Sequence, residues 1–469
     1  MNRLSQCMVL TASVCACTQT NAEATGKKPA ASEVRRPNFI IILADDMGYA
    51  DVQCYGNDHI LTPHIDALAK AGMQFTDAHA NSALSTPTRA AMLTGRYQQR
   101  VGLEGVILEH VPEHDHAGLP SDQVTFARVL SENGYQTCLL GKWHLGSDPE
   151  YHPQNFGFTH FEGFLTGNVD YFTRVNNKRV MDWWNGTEKE RIEGYTTSIL
   201  TSKAVEYINA NKDNPFCLVI AESCPHGPLQ GPDDYALRYE GEKPGSLMIK
   251  GKSQRDIYKA MIEELDRGVG DIREALEKNG IAQNTLVVFL SDNGPQLKND
   301  TGSAAPFREG KGSMFEGGHR VPFIACMPGT IKSGSVCETP VMGFDLFPTM
   351  LSMADISYQF RKPLDGTSIL PLFRGGKIAP RTLYWALGNK QAIRDGKWKF
   401  IVQNVRKKGV VTTEEYLFDM ESDPEENRNL AVQYPSVVSE LKKKLATWHE
   451  DVTSEHAEQL VPYIPSMSF

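Results

Sequence analysis

The sequence lacks an excess of basic residues, long apolar runs and Cys-x-x-Cys pairs. Its 48 Lys and Arg are outnumbered by 57 Asp and Glu, which gives a formal net charge of −9. No broad basic field therefore exists to bind nucleic acid or anionic lipid, and we expect no nucleic-acid partner. Beyond the N-terminal segment, no apolar run reaches the roughly 20 residues of a transmembrane helix. An anionic substrate must be bound by a local cluster of cations.

The nine cysteines are not spaced as a metal-binding or redox motif. No Cys-x-x-Cys pair occurs, which argues against a zinc ribbon and against a thioredoxin-like site. Three cysteines lie at the extreme N-terminus, and the other six are scattered through the chain. These six could form disulfides, but in a chain of 469 residues we expect buried free thiols.

The N-terminus has the composition of an export signal. A basic residue, a modest apolar run and several small residues predict a secretory signal peptide over residues 1–22. Part of it also resembles a bacterial lipoprotein processing box, with Cys17 or Cys15 as the acylation candidate; a plain signal cleaved near Ala22 is the alternative. Residues 23–36 are predicted to be a tether. These features predict an exported protein, either periplasmic or lipid-anchored at the bacterial cell envelope, with no transmembrane span in the mature chain.

Four continuous apolar runs alternate with amphipathic patterns of helical period. Such runs are typical of central parallel strands that are buried on both faces. The runs cover residues 38–44, 137–141, 216–221 and 285–290. Helices are predicted over residues 65–75, 121–133 (with Ser121 as N-cap), 196–211 and 254–278. Strands that alternate with helices predict a doubly wound α/β sheet.

After Ala354 the pattern changes to short strand-like segments followed by one amphipathic helix. The strands are predicted at residues 382–386, 391–394 and 398–403, and the helix at 434–451. We therefore predict a main, catalytic domain over residues 37–355 and a smaller C-terminal α+β domain over residues 356–469.

Polar side chains follow each of the four apolar runs. They are Asp45 and Asp46, Lys142 and His144, His226, and Asp292 with Asn293. Because ligands of open α/β sheets collect beyond the carboxyl ends of the strands, we expect these side chains to form one site. The carboxylates and the amide offer only oxygen donors, which suit Ca²⁺ or Mg²⁺ better than zinc. The alternative is that these pairs only cap helices or shape turns.

A short segment carries a recognisable signature. Residues 85–89 read Ser-Thr-Pro-Thr-Arg, and Thr-Gly follows at 94–95. This resembles the signature of type I sulfatases, in which Cys or Ser precedes x-Pro-(Ser/Thr/Ala)-Arg. Further motifs occur in family order at 45–48 (Asp-Asp-Met-Gly), 141–146 (Gly-Lys-Trp-His-Leu-Gly), 225–228 (Pro-His-Gly-Pro), 291–294 (Ser-Asp-Asn-Gly) and 316–322 (Glu-Gly-Gly-His-Arg-Val-Pro). The resemblance implies an alkaline-phosphatase-like, doubly wound mixed sheet flanked by helices, with a smaller C-terminal α+β domain.

Ser85 stands where this family carries formylglycine, an aldehyde made by oxidation of an encoded Cys or Ser. The resemblance implies that one hydroxyl of the hydrated aldehyde attacks sulfur, and that loss of the proton of the other hydroxyl then expels sulfate. A serine at this position implies a serine-type formylglycine maturase as a partner. The resemblance also implies one Ca²⁺ ion, with the ligands Asp45, Asp46, Ser85, Asp292 and Asn293.

The resemblance implies roles for five further side chains. Arg89 and Lys142 orient and polarise the hydrate, and His144 is the base for its second hydroxyl. His226 and Lys311 hold the sulfate oxygens, and His226 donates a proton to the leaving alcohol. An imidazole with a pKa near neutrality suits either proton transfer. Two neighbouring cations, Lys298 and Arg308, are alternatives to Lys311.

Outside this core the sequence is less specific. Asn168, Asp170 and Arg174 lie where related carbohydrate sulfatases shape the sugar pocket, and they are candidate substrate-binding residues. Trp183 and Trp184 are either aromatic platforms for sugar rings or parts of the core. An acidic loop carries histidines that we expect to be solvated, namely His110, His114 and His116.

We predict a sulfatase that hydrolyses sulfate esters of a carbohydrate of glycosaminoglycan or mucin type, with galactose or N-acetylgalactosamine sulfates favoured. Two alternatives stay open. One is a phosphomonoester or phosphonate hydrolase of the same superfamily, which would use Ser85 directly on phosphorus. The other is a non-catalytic, glycan-binding relative.

Overall fold

The computed structural model describes residues 35–109, 111–114, 116–298, 301–407, 409–456 and 461–463. The predicted signal peptide, almost all of the predicted tether and His110 lie outside the described residues. Arg36–Phe469 forms one compact unit. Within the described residues, no helix is both long and apolar enough to cross a membrane.

Strands and helices alternate along most of the chain, which then ends in an antiparallel sheet and a helix. The strands are Asn38–Ala44 (β1), Met73–Phe75 (β2), Ala78–His79 (β3), Gln136–Lys142 (β4), His160–Phe164 (β5), Trp184–Asn185 (β6), Glu188–Lys189 (β7), Phe216–Ala221 (β8), Thr285–Ser291 (β9), Phe323–Cys326 (β10), Ser335–Cys337 (β11), Val341–Met342 (β12), Leu383–Leu387 (β13), Lys390–Asp395 (β14), Trp398–Lys407 (β15) and Val410–Asp419 (β16). The α-helices are Pro63–Ala71 (α1), Ser85–Thr94 (α2), Phe126–Glu132 (α3), Thr196–Asn211 (α4), Gln254–Lys278 (α5), Glu316–His319 (α6), Leu346–Met353 (α7), Leu370–Phe373 (α8) and Pro435–Thr453 (α9).

The large sheet has the strand order β11-β2-β10-β9-β1-β8-β4-β5-β6-β7. Its centre is parallel: β1 pairs with β8 on one side and with β9 on the other. The sheet is mixed because β10 runs antiparallel to both β9 and β2. The prediction of a mixed sheet is therefore confirmed.

Helices cover both faces of this sheet, which explains the continuous apolar runs. Phe39, Ile41 and Leu43 pack on one face, in a core shared with α2, α3 and α7. Ile40 and Ile42 pack on the other face, in a core shared with α1, α4 and α5. Every residue of β1 is buried, so its sequence shows no polar alternation. The predicted doubly wound arrangement is confirmed.

The predicted boundaries of β1, β8, α4 and α5 agree with the structure, but two other predicted helices were wrong in part. The first ends at Ala71, with Gly72 as its C-cap, and residues 73–75 form β2, which pairs with β10 on one side and with β11 on the other. The other begins at Phe126 rather than near Ser121. Its N-cap is Thr125, whose hydroxyl accepts a hydrogen bond from the backbone N–H of Arg128 at 3.1 Å.

The three strands predicted in the C-terminal region are present, and with a fourth strand they form an antiparallel sheet. β13, β14, β15 and β16 pair in chain order, and α9 packs against them. Strand β16 escaped prediction because its first half is exposed, so apolar and polar residues do not alternate there. The six cysteines of the described residues are free thiols, and five of them are buried, as predicted.

A fully buried ion cluster joins the C-terminal sheet to helix α6. The ammonium of Lys399, on β15, lies 2.7 Å from a carboxylate oxygen of Glu316 and 2.7 Å from one of Glu426. Breaking such a buried group by removal of one partner costs about 3–5 kcal/mol. The C-terminal sheet is therefore tightly held against helix α6.

Candidate active site

The polar residues that follow the four central strands meet at one edge of the sheet. Because β1 lies between β8 and β9, the segment after β1 contacts the segments after both neighbours. The backbone N–H of Asp45 donates to the carbonyl oxygen of Cys224 at 3.0 Å, and that of Asp46 donates to a carboxylate oxygen of Asp292 at 3.2 Å. Helix α2 begins at this edge with Ser85 as its first residue rather than as an N-cap.

The predicted metal ligands come together. One carboxylate oxygen each of Asp45, Asp46 and Asp292 lie within 4.8 Å of one another, and all three residues are buried. The Ser85 hydroxyl lies 3.1 Å from Asp45 Oδ1 and 3.3 Å from Asn293 Oδ1. Three carboxylates, an amide oxygen and a hydroxyl form an oxygen-only donor set, which fits a hard divalent cation such as Ca²⁺ or Mg²⁺.

Each of the three carboxylates is also paired with a cation. Lys142 Nζ lies 2.6 Å from Asp45 Oδ2, and Lys311 Nζ lies 2.7 Å from Asp46 Oδ2. Arg89 donates two hydrogen bonds to Asp292 Oδ2, at 3.0 and 2.8 Å. Without a metal ion the charges of these six side chains cancel. A bound divalent cation would give the cluster a net positive charge and make it attractive to a sulfate ester.

Burial opposes ionisation in this cluster, but its cations outweigh burial. Lys142, His226 and Arg89 together lower the pKa of Asp45, which burial alone would raise. Lys311 and His226 likewise lower the pKa of Asp46 against the effect of burial. Both carboxylates are therefore ionised and able to bind a cation at neutral pH.

His144 is held as a neutral proton acceptor. Its Nε2 lies 2.9 Å from the carbonyl oxygen of Ile107, so this nitrogen must carry the hydrogen and donate it. Its Nδ1 is buried, and no residue of the described part of the chain bonds to it. Burial, reinforced by Lys142, holds the pKa of His144 well below its usual value. A bare Nδ1 lone pair is the chemical requirement for a general base.

His226 has the opposite tautomer. Its Nδ1 lies 2.7 Å from the carbonyl oxygen of Gly227 and donates to it, which leaves Nε2 at 3.7 Å from Asp46 Oδ2. Burial lowers the pKa of His226, and Asp46 opposes that shift. A role as proton donor requires the doubly protonated ring, and the Asp46 carboxylate offsets only part of the effect of burial on the pKa of His226.

Two residues at the site have left-handed backbones, which are uncommon for residues other than glycine. They are Asp46, with φ of 65°, and His144, with φ of 59°. Each costs backbone energy that the surrounding contacts must offset, and such strain concentrates at functional sites.

Two cavities border this cluster. A cavity of about 250 Å³ is lined on one side by Asp46 and His226. A second cavity, of about 220 Å³, has His144 in its wall. Further residues lining the first include Tyr258, Gln296 and Lys298, and further residues lining the second include Glu109, His114, Asp182 and Trp184. The first cavity therefore reaches Asp46 and His226, and the second reaches His144.

The predicted substrate-binding residues lie away from these two cavities. Asp170 is fully buried, and its carboxylate accepts hydrogen bonds from backbone N–H groups that include those of Phe172 and Arg238. Arg174 is also buried and packs over the ring of Trp183 at 5.7 Å. Asn168 Oδ1 accepts a hydrogen bond from the Arg238 side chain at 2.6 Å. Asp170 therefore holds backbone segments together, and Arg174 packs within the core.

The histidines of the acidic loop differ from one another. His114 is buried and lines the second cavity, so the prediction that it is solvated was wrong. His116 is exposed and pairs with Asp148 at 2.7 Å, as a solvated loop residue would.

Two residues shape the site through a backbone atom or through the absence of a side chain, and neither was predicted from the sequence. A Cβ atom on Gly167 would lie only 2.7 Å from His144 Nε2, so glycine is required for the close approach of these two segments. The carbonyl of Ile107 sets the tautomer of His144. Neither function leaves a signal in residue type or spacing.

The mixed α/β sheet combines an oxygen-only cation site, a hydroxyl and two histidines at its carboxyl edge. This combination defines a metal-assisted ester hydrolase. The family described as Sulfatase matches residues 37–356. The family described as N-sulphoglucosamine sulphohydrolase, C-terminal, matches residues 309–451. The chain belongs to the sulfatase family and is a sulfuric ester hydrolase.

Curated relatives include N-acetylgalactosamine-6-sulfatase of Canis lupus familiaris, 33% identical over 391 residues, with 79% of this chain and 72% of the relative covered. Steryl-sulfatase of Homo sapiens is 30% identical over 424 residues, with 72% of this chain and 70% of the relative covered. The crystal structure of "Ps i-CgsB in complex with k-i-k-neocarrahexaose" is 30% identical, with a TM-score of 0.79 and with 92% of this chain and 96% of that chain covered. The predicted alkaline-phosphatase-like fold is confirmed.

We expect Gly167→Ala to lower kcat for sulfate release by about 10–100-fold, because the added methyl group must displace the ring of His144. Sulfate is measured from a sulfate ester that the unaltered protein hydrolyses. Gly245→Ala is the matched control, since a Cβ atom there meets nothing within 4 Å. Equal kcat values for the two variants would contradict the account of His144.

Proposed function

We propose that this sulfatase hydrolyses sulfate esters of a glycan, with formylglycine formed from Ser85 as its nucleophile and with one Ca²⁺ ion. The observation that carries the proposal is the position of the Ser85 hydroxyl. It lies between oxygens of Asp45 and Asn293, inside a buried cluster in which carboxylates and cations balance. An oxygen atom at residue 85 thus lies against two of the proposed metal ligands.

Formylglycine, when formed, supplies two hydroxyls on one carbon, one to attack sulfur and one whose deprotonation releases sulfate. An unmodified serine could be sulfated but would need a separate activated water to lose the sulfate. The surrounding residues fit the modified side chain. Lys142 and Arg89 lie next to Asp45 and Asp292, where their positive charges stabilise oxygens that become anionic during the reaction.

The two histidines are assigned different steps from their hydrogen bonds. His144 accepts a proton at Nδ1, because its Nε2 is committed to Ile107. His226, with Nε2 near Asp46, protonates the leaving alcohol. Lys311 holds a sulfate oxygen from the same side, since its ammonium lies beside Asp46.

Calcium is the ion we assign to the site. Asp45, Asp46, Asp292, Asn293 and residue 85 are its proposed ligands. Ca²⁺ takes six to eight oxygen ligands with flexible geometry, and a mixture of carboxylate, amide and hydroxyl oxygens suits it. When bound, the ion neutralises charge that develops on the sulfate oxygens.

The proposed substrate class is a sulfated glycan of glycosaminoglycan or mucin type, with galactose or N-acetylgalactosamine sulfates favoured. Two findings support it: the N-acetylgalactosamine-6-sulfatase relative and the structural neighbour bound to a neocarrahexaose. Trp184 supports it as well. Its ring is partly buried in the wall of the second cavity, and its indole N–H donates to Asp182 at 2.7 Å, which fixes the ring beside a space that a sugar can enter.

The remaining proposals concern maturation, organisation and location. A serine-type maturase would oxidise Ser85. The signal peptide at residues 1–22 and the tether at 23–36 would export the protein to the periplasm or anchor it to the cell envelope. The catalytic domain would end near residue 355, and residues 356–469 would form the smaller domain.

We expect the proteolytic peptide containing Ser85 to lack two hydrogens when the protein is produced anaerobically in a host with a serine-type maturase. Mass spectrometry of that peptide is the measurement, and Ser85→Ala is the matched variant. An unmodified serine under these conditions would favour phosphorus chemistry or a silent binding protein. Unchanged glycan processing by Ser85→Ala would refute the role of Ser85 in catalysis.

We also expect faster sulfate release from galactose or N-acetylgalactosamine sulfates than from glucosamine sulfates of equal length. Oligosaccharides sulfated at the 4-position and at the 6-position are compared by ion chromatography of the released sulfate. Phosphate esters serve as the chemical control. Activity on glucosamine sulfates alone would rule out the favoured sugar, and preferential hydrolysis of phosphate esters would rule out the sulfate-ester assignment.

A further inference from the structure

We propose that Thr86 is a positioning residue that holds His144 in the tautomer required for its role as base. The inference rests on the proposed function of His144. Thr86 follows the nucleophile position directly and has no role of its own in the proposed chemistry.

The Thr86 hydroxyl bonds to the backbone of two segments, one with Ile107 and one with His144. The His144 side chain forms a second link between these segments. The hydroxyl donates a hydrogen bond to the carbonyl oxygen of His144 at 3.2 Å and accepts one from the N–H of Ile107 at 3.2 Å. The carbonyl of Ile107 in turn accepts from His144 Nε2 at 2.9 Å. Thr86, Ile107 and His144 thus form a closed ring of three hydrogen bonds, with Thr86 fully buried.

This ring decides which nitrogen of His144 carries the hydrogen. A carbonyl oxygen can only accept, so Ile107 selects the tautomer with hydrogen on Nε2 and leaves Nδ1 bare. Thr86 fixes Ile107 through its N–H and fixes His144 through its carbonyl. The hydroxyl is therefore the shared link that keeps the accepting carbonyl opposite the donating ring nitrogen.

The tautomer matters for the step that releases sulfate. In that step Nδ1 of His144 takes the proton of a hydroxyl at residue 85. A carbon–oxygen double bond then forms at Cβ of residue 85. The bond from Cβ to the sulfate oxygen breaks, and sulfate leaves with the electron pair. The proton passes from Nδ1 to water. A ring with hydrogen on Nδ1 cannot accept the proton there.

Thr86→Val keeps the shape of the side chain and removes both of its hydrogen bonds. The N–H of Ile107 and the carbonyl of His144 are then buried without this partner, and the two segments can shift. We expect a second population of His144 with hydrogen on Nδ1. Thr86→Ser keeps a hydroxyl and should restore the single tautomer.

The first readout needs no turnover. Proteins with unmodified Ser85 are labelled with ¹⁵N-histidine, and long-range proton–nitrogen spectra give the chemical shifts of both ring nitrogens. His144→Asn identifies the signals of His144. We expect hydrogen on Nε2 alone in the unaltered protein and in Thr86→Ser, and a mixture in Thr86→Val. Identical His144 shifts in all three proteins would overturn the proposal.

The second readout uses protein that carries formylglycine, with rates normalised to the modified fraction measured by mass spectrometry. We expect Thr86→Val to lower kcat about tenfold and to release a burst of alcohol ahead of sulfate, since the sulfate-releasing step becomes slow. Thr86→Ser should show no burst.

Thr88→Ala is the matched control, because the Thr88 hydroxyl also bonds a backbone N–H and a backbone carbonyl, both of Ser82 and both at 3.0 Å. A burst of equal size in Thr88→Ala would show that any lost buried hydroxyl has this effect and would overturn the proposal. If the unaltered, modified protein released no sulfate from any ester, the proposed function would fail. The nitrogen spectra would still decide whether Thr86 sets the tautomer.

Discussion

Three buried carboxylates at one edge of a parallel sheet are the constraint on which this structure depends. Asp45, Asp46 and Asp292 lie close enough to share one cation, and without compensation such a cluster could not stay ionised. Lys142, Lys311 and Arg89 supply the balancing charges. They do so from three different parts of the chain, so the folding of those parts is coupled to the cluster. The same charges that stabilise the fold become an anion-binding site once a divalent cation is present.

The C-terminal sheet takes part in this arrangement, although it contributes no side chain to the carboxylate cluster. Lys390, on β14, donates to the carbonyl of Gly312 at 2.8 Å, and the N–H of Gly312 donates to the carbonyl of Ala83 at 2.9 Å. The loop that carries Lys311 is thereby tied both to the C-terminal sheet and to the segment that leads into Ser85. The overlap of the two family matches, at residues 309–356, covers this loop.

The sequence predicted the central strands well because they are buried on both faces, so their apolar runs are uninterrupted. It predicted the assembly of the polar cluster because each of its strand ends carries charged or amide side chains. It did not predict β16, whose first half is exposed and shows no alternation of apolar and polar residues. Nor could it reveal the roles of Ile107 and Gly167. Every residue has a backbone carbonyl and every glycine lacks a side chain, so neither feature distinguishes these two positions. Contacts with His144, which lies in another segment of the chain, define those roles.

The central claim is that the carboxylate cluster binds one divalent cation. Calorimetric titration with Ca²⁺ tests it most directly. The account predicts one Ca²⁺ per chain, and binding weaker by at least about tenfold in Asp46→Asn. Asp58→Asn removes an exposed carboxylate and should leave the affinity unchanged. Absence of Ca²⁺ binding, or equal affinities for Asp46→Asn and the unaltered protein, would contradict the account.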